Sequence, residues 1–189
     1  MMQSHEIIEI LGDVVKRISA DCRIVMADYS GASVEIDCPN INYTFGNAQY
    51  VKDALDDLSF SPVTSLQKFP LIALFCPFSE DRGSVEYFTK AKVNILIACS
   101  TDKNWSNEQR LQASFKNILR PIYNRMLQAL REDKRLDFGY EGVIPHKYSE
   151  NYSYGKYGAY TPAGKEVSEP IDAINITDLE LTVKNPTCR

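Results

Sequence analysis

The sequence predicts an α+β fold: a mostly antiparallel sheet of about four to five strands, packed by an N-terminal helix and by a long helix carrying an internal proline. Three observations lead there. Two segments place apolar residues at helical spacing, strand-like runs follow one another in groups instead of alternating with helices, and no segment repeats. The chain has 189 residues, 44% of them hydrophobic and 24% charged, which suits one domain with its own core.

Residues 4–19 form the first expected helix. Ile7, Ile8, Leu11, Val14, Val15 and Ile18 share one face, Ser4 stands at the N-cap, Glu6 and Glu9 lie in the first turn, and Lys16 and Arg17 in the last. Two β-prone runs, 23–27 and 33–38, flank the turn-like "DYSG" and predict a hairpin. A short helix is expected over about 47–58, with Val51, Leu55 and Leu58 inside. "FPLIALFCPF" is apolar throughout and bounded by prolines, as in a strand buried on both faces. "SEDRG" turns the chain into a long strand over 84–100. There Val85, Tyr87, Ala91, Val93, Ile95, Ile97 and Cys99 face one way, and Lys90, Lys92 and Asn94 the other.

The clearest helix starts at Ser106, which forms a capping box with Gln109. Leu111, Phe115, Ile118, Leu119, Ile122, Met126 and Leu130 make its stripe, and Pro121 predicts a kink or two consecutive helices. Residues 137–170 show neither period, so they read as an irregular Tyr-rich arm, loop or extended hairpin. The closing "DAINITDLELTVKN" is a strand whose phase slips between Ile176 and Leu179, the mark of a bulge.

Little in the composition points to chemistry. His5 and His146 have no Cys or His at ligand spacing, and the five cysteines show no C-x-x-C, so no metal and no cofactor are expected. There is no G-x-S-x-G and no phosphate-binding glycine loop. Glu35 and Asp37 share a face of one strand and Glu86 lies near Lys90, pairs that solvated strand edges explain. A net charge of −4 disfavours a dedicated nucleic-acid binder. The apolar runs are too short for a bilayer and the N-terminus lacks a secretory pattern, so no membrane association is expected.

The stretch "KYSENYSYGKYGAYTP" holds five tyrosines in 16 residues: Tyr148, Tyr152, Tyr154, Tyr157 and Tyr160. Tyrosine offers large amphipathic contact area at low entropic cost. Three readings stand: an arm docking on a neighbouring subunit, a carbohydrate- or other ligand-binding surface on which rings stack, or a plain loop. Glu80, Asp81 and Arg82 at the "SEDRG" tip are candidate interface charges beside the plainer reading of a polar turn.

"FPLIALFCPFSEDRG", "KAKVNILIACSTDKNWSNEQRLQASFKNILRPIYNRMLQAL" and "IDAINITDLELTVKN", in that order behind an N-terminal helix, resemble the tail-terminator and tail-completion (neck) proteins of tailed bacteriophages. The resemblance covers about 120 residues and is one of pattern; the Tyr-rich stretch departs from it. It implies a non-enzymatic structural protein, either a tail terminator or a head-tail connector component. Such a protein forms a homo-oligomeric ring, six subunits being the common number, and joins other neck or tail-tube proteins. It resides in the virion, and in the host cytoplasm during assembly. A ring needs two different faces on each subunit. The 79–84 tip and the Tyr-rich arm suit those faces, and Lys90 and Lys92 would face a lumen through which DNA passes.

Overall fold

The helical spacing of the first segment produces α1 (Ile7–Asp21), which buries Ile7, Ile10, Leu11, Val14, Val15 and Ile18 along one side. It ends later than expected, so Lys16 and Arg17 lie ahead of its last turn. In the computed structural model, described over residues 6–21, 23–27, 33–37, 40–58, 67–82, 88–160 and 166–184, Arg17 instead pairs with Asp133. Ser4 and His5 lie outside the described residues.

Strands β1 (Arg23–Ala27) and β2 (Ser33–Asp37) form the expected antiparallel hairpin as a separate two-stranded sheet. The main sheet has five strands: β3 (Asn42–Gly46), β4 (Leu71–Asp81), β5 (Phe88–Ser100), β6 (Lys147–Tyr160) and β7 (Glu166–Lys184), in the order β3-β4-β5-β7-β6. All neighbours run antiparallel except β3 and β4. Between β3 and β4 lies α2 (Ala48–Leu58), whose entry needs Gly46. With φ at 148°, a Cβ there would stand 2.7 Å from the Tyr50 ring.

Leu71, Ile72, Ala73 and Leu74 are all buried, because helices cover both faces at that end of β4. In β5, Ala91, Val93, Ile95, Ile97 and Cys99 are buried while Lys90, Lys92 and Asn94 are exposed, as the alternation predicts. Val85, Glu86 and Tyr87 fall outside the described residues. The phase slip in β7 is a bulge: Val93 pairs with Leu179 but Ile95 with Ile176, and Asp178 takes a positive φ of 55°. Its N–H donates to Asn94 Oδ1 at 3.0 Å.

The long helix begins with the expected capping box. Gln109 N–H donates to Ser106 Oγ (3.2 Å), and Ser106 N–H to Gln109 Oε1 (2.8 Å). It runs as α3 (Asn107–Arg110), a π-helical stretch (Leu111–Leu119) and α4 (Arg120–Glu132). The break expected at Pro121 takes this form: a wide-turn segment ahead of the proline, with Arg120 N–H donating to Phe115 O five residues back.

With α1, the π stretch and α4 cover one sheet face. Phe115, Leu119, Ile122, Met126 and Leu130 pack there with Ile95, Ile97, Ile174, Ile176 and Leu179. Burying each such side chain stabilises the fold by about 1.5–3 kcal/mol. On the opposite face α2 sets Val51 and Leu55 over Leu71, Ala73, Leu96, Ala98, Ile171 and Ala173. α2 covers only that end and leaves Lys90, Lys92, Asn94 and Glu180 open.

Part of the expected irregular region, 137–170, is ordered differently. Residues 147–160 and 166–170 are strand, paired as a long ribbon, so the extended-hairpin alternative is the one observed. Glycine, serine and tyrosine hide the period there, because β6 is an edge strand with few aliphatic residues.

Candidate functional site

The Tyr-rich stretch divides in two. Its first half docks on the helical layer: Tyr152 stacks on Phe115 with ring centroids 4.3 Å apart, and Tyr148 meets Tyr123 at 4.8 Å. Between them Glu150 accepts two hydrogen bonds from Arg120, Nε to Oε1 at 2.7 Å and Nη2 to Oε2 at 3.0 Å, plus one from the Tyr148 hydroxyl. The guanidinium holds the Glu150 carboxyl below the usual range. Burial first, and then the Glu150 carboxylate, push the Tyr148 phenol up. His146 joins this group: its Nδ1 donates to Ile144 O at 2.7 Å, so in the neutral ring Nε2 accepts from Tyr123 OH at 2.7 Å.

The second half of the stretch leaves the sheet. β5 ends its pairing at Ser100 opposite Ile171, whereas β6 and β7 stay paired out to Tyr160 opposite Glu166. Residues 157–160 and 166–169 are therefore a two-stranded ribbon extending past the neighbouring strand. The side chains of Tyr154, Tyr157 and Tyr160 lie outside the described residues.

Of the tip charges, Arg82 Nε donates to Glu80 Oε2 at 2.7 Å, and Asp81 is exposed opposite Lys90. Lys92 forms an ion pair with Glu180 at 3.0 Å, both side chains about half exposed. Lys90, Lys92 and Asp81 line an open cleft of about 940 Å³ on the sheet face that α2 leaves bare, walled by Phe88, Phe138 and Val143. The structure thus brings the tip and the lysines together, and keeps both apart from Tyr148 and Tyr152, which face the helices.

One arrangement escaped the sequence. Arg110 and Asp172 form an ion pair at 3.0 Å, with side chains 5% and 0% exposed. Arg110 also donates to Asp102 O (2.8 Å) and Trp105 O (3.2 Å). Cys99 lies beside it, and burial pushes its thiol up to about 12, the state of an inert thiol. Nothing in the spacing of residues 110 and 172 signals this contact. The side chains of Glu35 and Asp37, and Glu86 as a whole, lie outside the described residues. Among the described residues no three His, Cys, Asp or Glu side chains gather as metal ligands, and no helix is long and apolar enough to cross a membrane.

No model of a known protein family matches the chain, and no curated protein matches it.

Proposed function

We propose that this protein is a structural, non-enzymatic assembly component of a tailed phage or prophage: a ring-forming tail terminator or head-tail connector protein. The observation that carries the reading is the projecting ribbon at residues 157–160 and 166–169. A two-stranded ribbon standing off its own sheet leaves its flanks without a core of its own to cover. Its β6 strand carries Tyr157 and Tyr160 in the sequence, a residue type that offers a neighbouring subunit large amphipathic contact area.

Two further features support it. The order of elements, from the N-terminal helix to the closing strand, resembles the neck-protein pattern read in the sequence. The sheet has one face under α1 and α4 and one partly bare face bearing Lys90 and Lys92, which suits a ring with helices outward and lysines toward a DNA-conducting lumen. Lys92 is matched by Glu180, which suits passage without tight holding.

Light scattering across a range of concentrations tests the reading. The full chain and a variant whose residues 158–168 are replaced by an Asn-Gly turn are compared, since that turn closes the shortened hairpin without touching Tyr148 or Tyr152. The full chain should give a ring-sized mass, and the shortened one should fall to smaller species at the same concentration. A full chain that stays monomeric throughout would overturn the proposal.

A further inference from the structure

The two edges of the main sheet match each other. Among the described residues, neither β3 nor β6 pairs with a strand on its outer side. β3 runs parallel to β4, and each later step across the sheet reverses direction, so β3 and β6 run opposite ways. They also stand level. Across the sheet Phe45 pairs with Leu74, Leu74 with Ile95, Ile95 with Ile176, and Ile176 with Tyr148. One row back, Thr44, Ala73, Leu96, Asn175 and Ser149 follow the same line. Residues 42–45 of one edge therefore sit at the height of residues 148–151 of the other.

The row that begins at Phe45 and ends at Tyr148 is otherwise buried, with Leu74 and Ile176 0% and Ile95 2% exposed. Its two ends are 45% and 41% exposed. An apolar row capped at both edges by a half-bare aromatic is what an internal row looks like when the sheet is cut. The outward amides are available as well. Asn42 N–H donates to Pro70 O at 2.8 Å, toward β4, so strand alternation turns the N–H and C=O of Tyr43 and Phe45 to the outer edge. β6 has no proline and no bulge over residues 147–151 to blunt pairing, and its lysine there, Lys147, is held by Asp178 of the neighbouring β7 at 2.7 Å.

We infer that β3 of one copy pairs antiparallel with residues 147–151 of β6 of the next, setting Phe45 against the neighbour's Tyr148. Antiparallel pairing follows because a rotation about an axis along the strands preserves strand direction and brings the opposed edges together. Level edges make that rotation free of rise, and a head-to-tail contact without rise closes into a ring instead of climbing into a filament. The inference rests on the ring reading above, and adds to it the surfaces through which the ring closes. The occupant of each edge is a second copy of this chain.

The experiment uses two full-length variants that each place a lysine on one edge, Phe45→Lys and Ser149→Lys, with circular dichroism to confirm that each folds. Edge lysines oppose strand addition. Each variant alone should be monomeric where the unaltered chain forms its ring. Mixed in equal amounts, they should form a species of two copies and no larger, because only one intact β3 edge and one intact β6 edge remain to meet. Hydrogen exchange should show the outward-turned amides, those at positions 43 and 45 and the alternate ones of 147–151, protected in the ring and exchanging at least tenfold faster in the monomeric variants. If the Phe45→Lys chain still forms the full ring, or if it forms a symmetric dimer alone, edge pairing of this kind is wrong while the ring reading survives. A monomeric unaltered chain would remove both.

Discussion

Replacing Asp172 by alanine strips the carboxylate from a guanidinium that has almost no water. The Arg110 side chain is 5% exposed, and its ion-pair partner is 0% exposed. Removing one member of a buried pair costs about 3–5 kcal/mol, because the remaining charge keeps its desolvation without its partner. Arg110 would retain its bonds to the carbonyls of Asp102 and Trp105, which places the expectation at the lower end, about 3 kcal/mol. In a chain of this size that corresponds to a fall in Tm of about 6–12 °C. The assay is urea unfolding followed by far-ultraviolet circular dichroism, reading the midpoint at constant slope. The paired change Arg110→Met with Asp172→Leu should recover most of the loss, since an apolar pair of similar volume avoids the stranded charge. Should Asp172→Ala cost under about 1 kcal/mol, the range of an exposed pair, the contact would have to be solvated and the reasoning would fail.

Three other substitutions or probes follow from the same geometry. Glu150 is held below its ordinary value of 4.5 by the Arg120 hydrogen bonds, so its stabilising effect is complete above that pH and disappears as pH falls through the depressed folded value. Glu150→Gln should accordingly flatten the acid limb of a stability-against-pH curve below about pH 4.5, and an unchanged limb would contradict it. Cys99, buried and raised to about 12, should resist iodoacetamide at pH 8 in the folded protein and react after denaturation, as read by peptide mass mapping; labelling at the rate of a free thiol would show the site to be open. Asp178→Val should cost about 1–2 kcal/mol, because a β-branched residue at φ 55° is strained, while Asp178→Gly should be much milder; equal losses for the two would put the cost in the Lys147 ion pair instead of the backbone.

Elements that bury one periodic face were legible. The stripe of α1, the alternation of β5, the apolar run of β4 and the slip in β7 all showed in the residue order, because one covering layer imposes a stripe or an alternation and two impose a continuous apolar run. β6 did not show. Among the described residues its strand partner is β7, and Tyr148 and Tyr152 do the packing that aliphatic residues do elsewhere, so no aliphatic alternation marks its buried face. Tyrosine patterns that read as surface were in part core. The parallel pairing of β3 with β4 was equally hidden, since five residues carry too little pattern to name a partner. Of the candidate site, the sequence marked the tip and the lysines but not that they share a cleft, nor that the sheet's two free edges stand level.

The missed ion pair and the missed strand have a common physical cause. Asp172 pairs across β5 with Cys99, and on its other side β6 breaks register: Asn151 pairs with Ala173 and Gly155 with Ile171, so three residues of β6 oppose one of β7. That slack includes Tyr152, whose ring lies against Phe115 in the π-helical stretch. The π stretch follows directly on Arg110, and its wider turn shows in the Arg120 N–H, which donates to Phe115 O five residues back. Two departures from ideal period, one in a strand and one in a helix, thus meet beside one charged pair in the core. A regular helix over a regular ladder keeps apolar residues at every inward position and has no place there for a guanidinium and a carboxylate. The stripe from Leu111 to Leu130 reads as unbroken although the helix beneath it changes pitch, so neither Arg110 nor Asp172 stands out in the sequence.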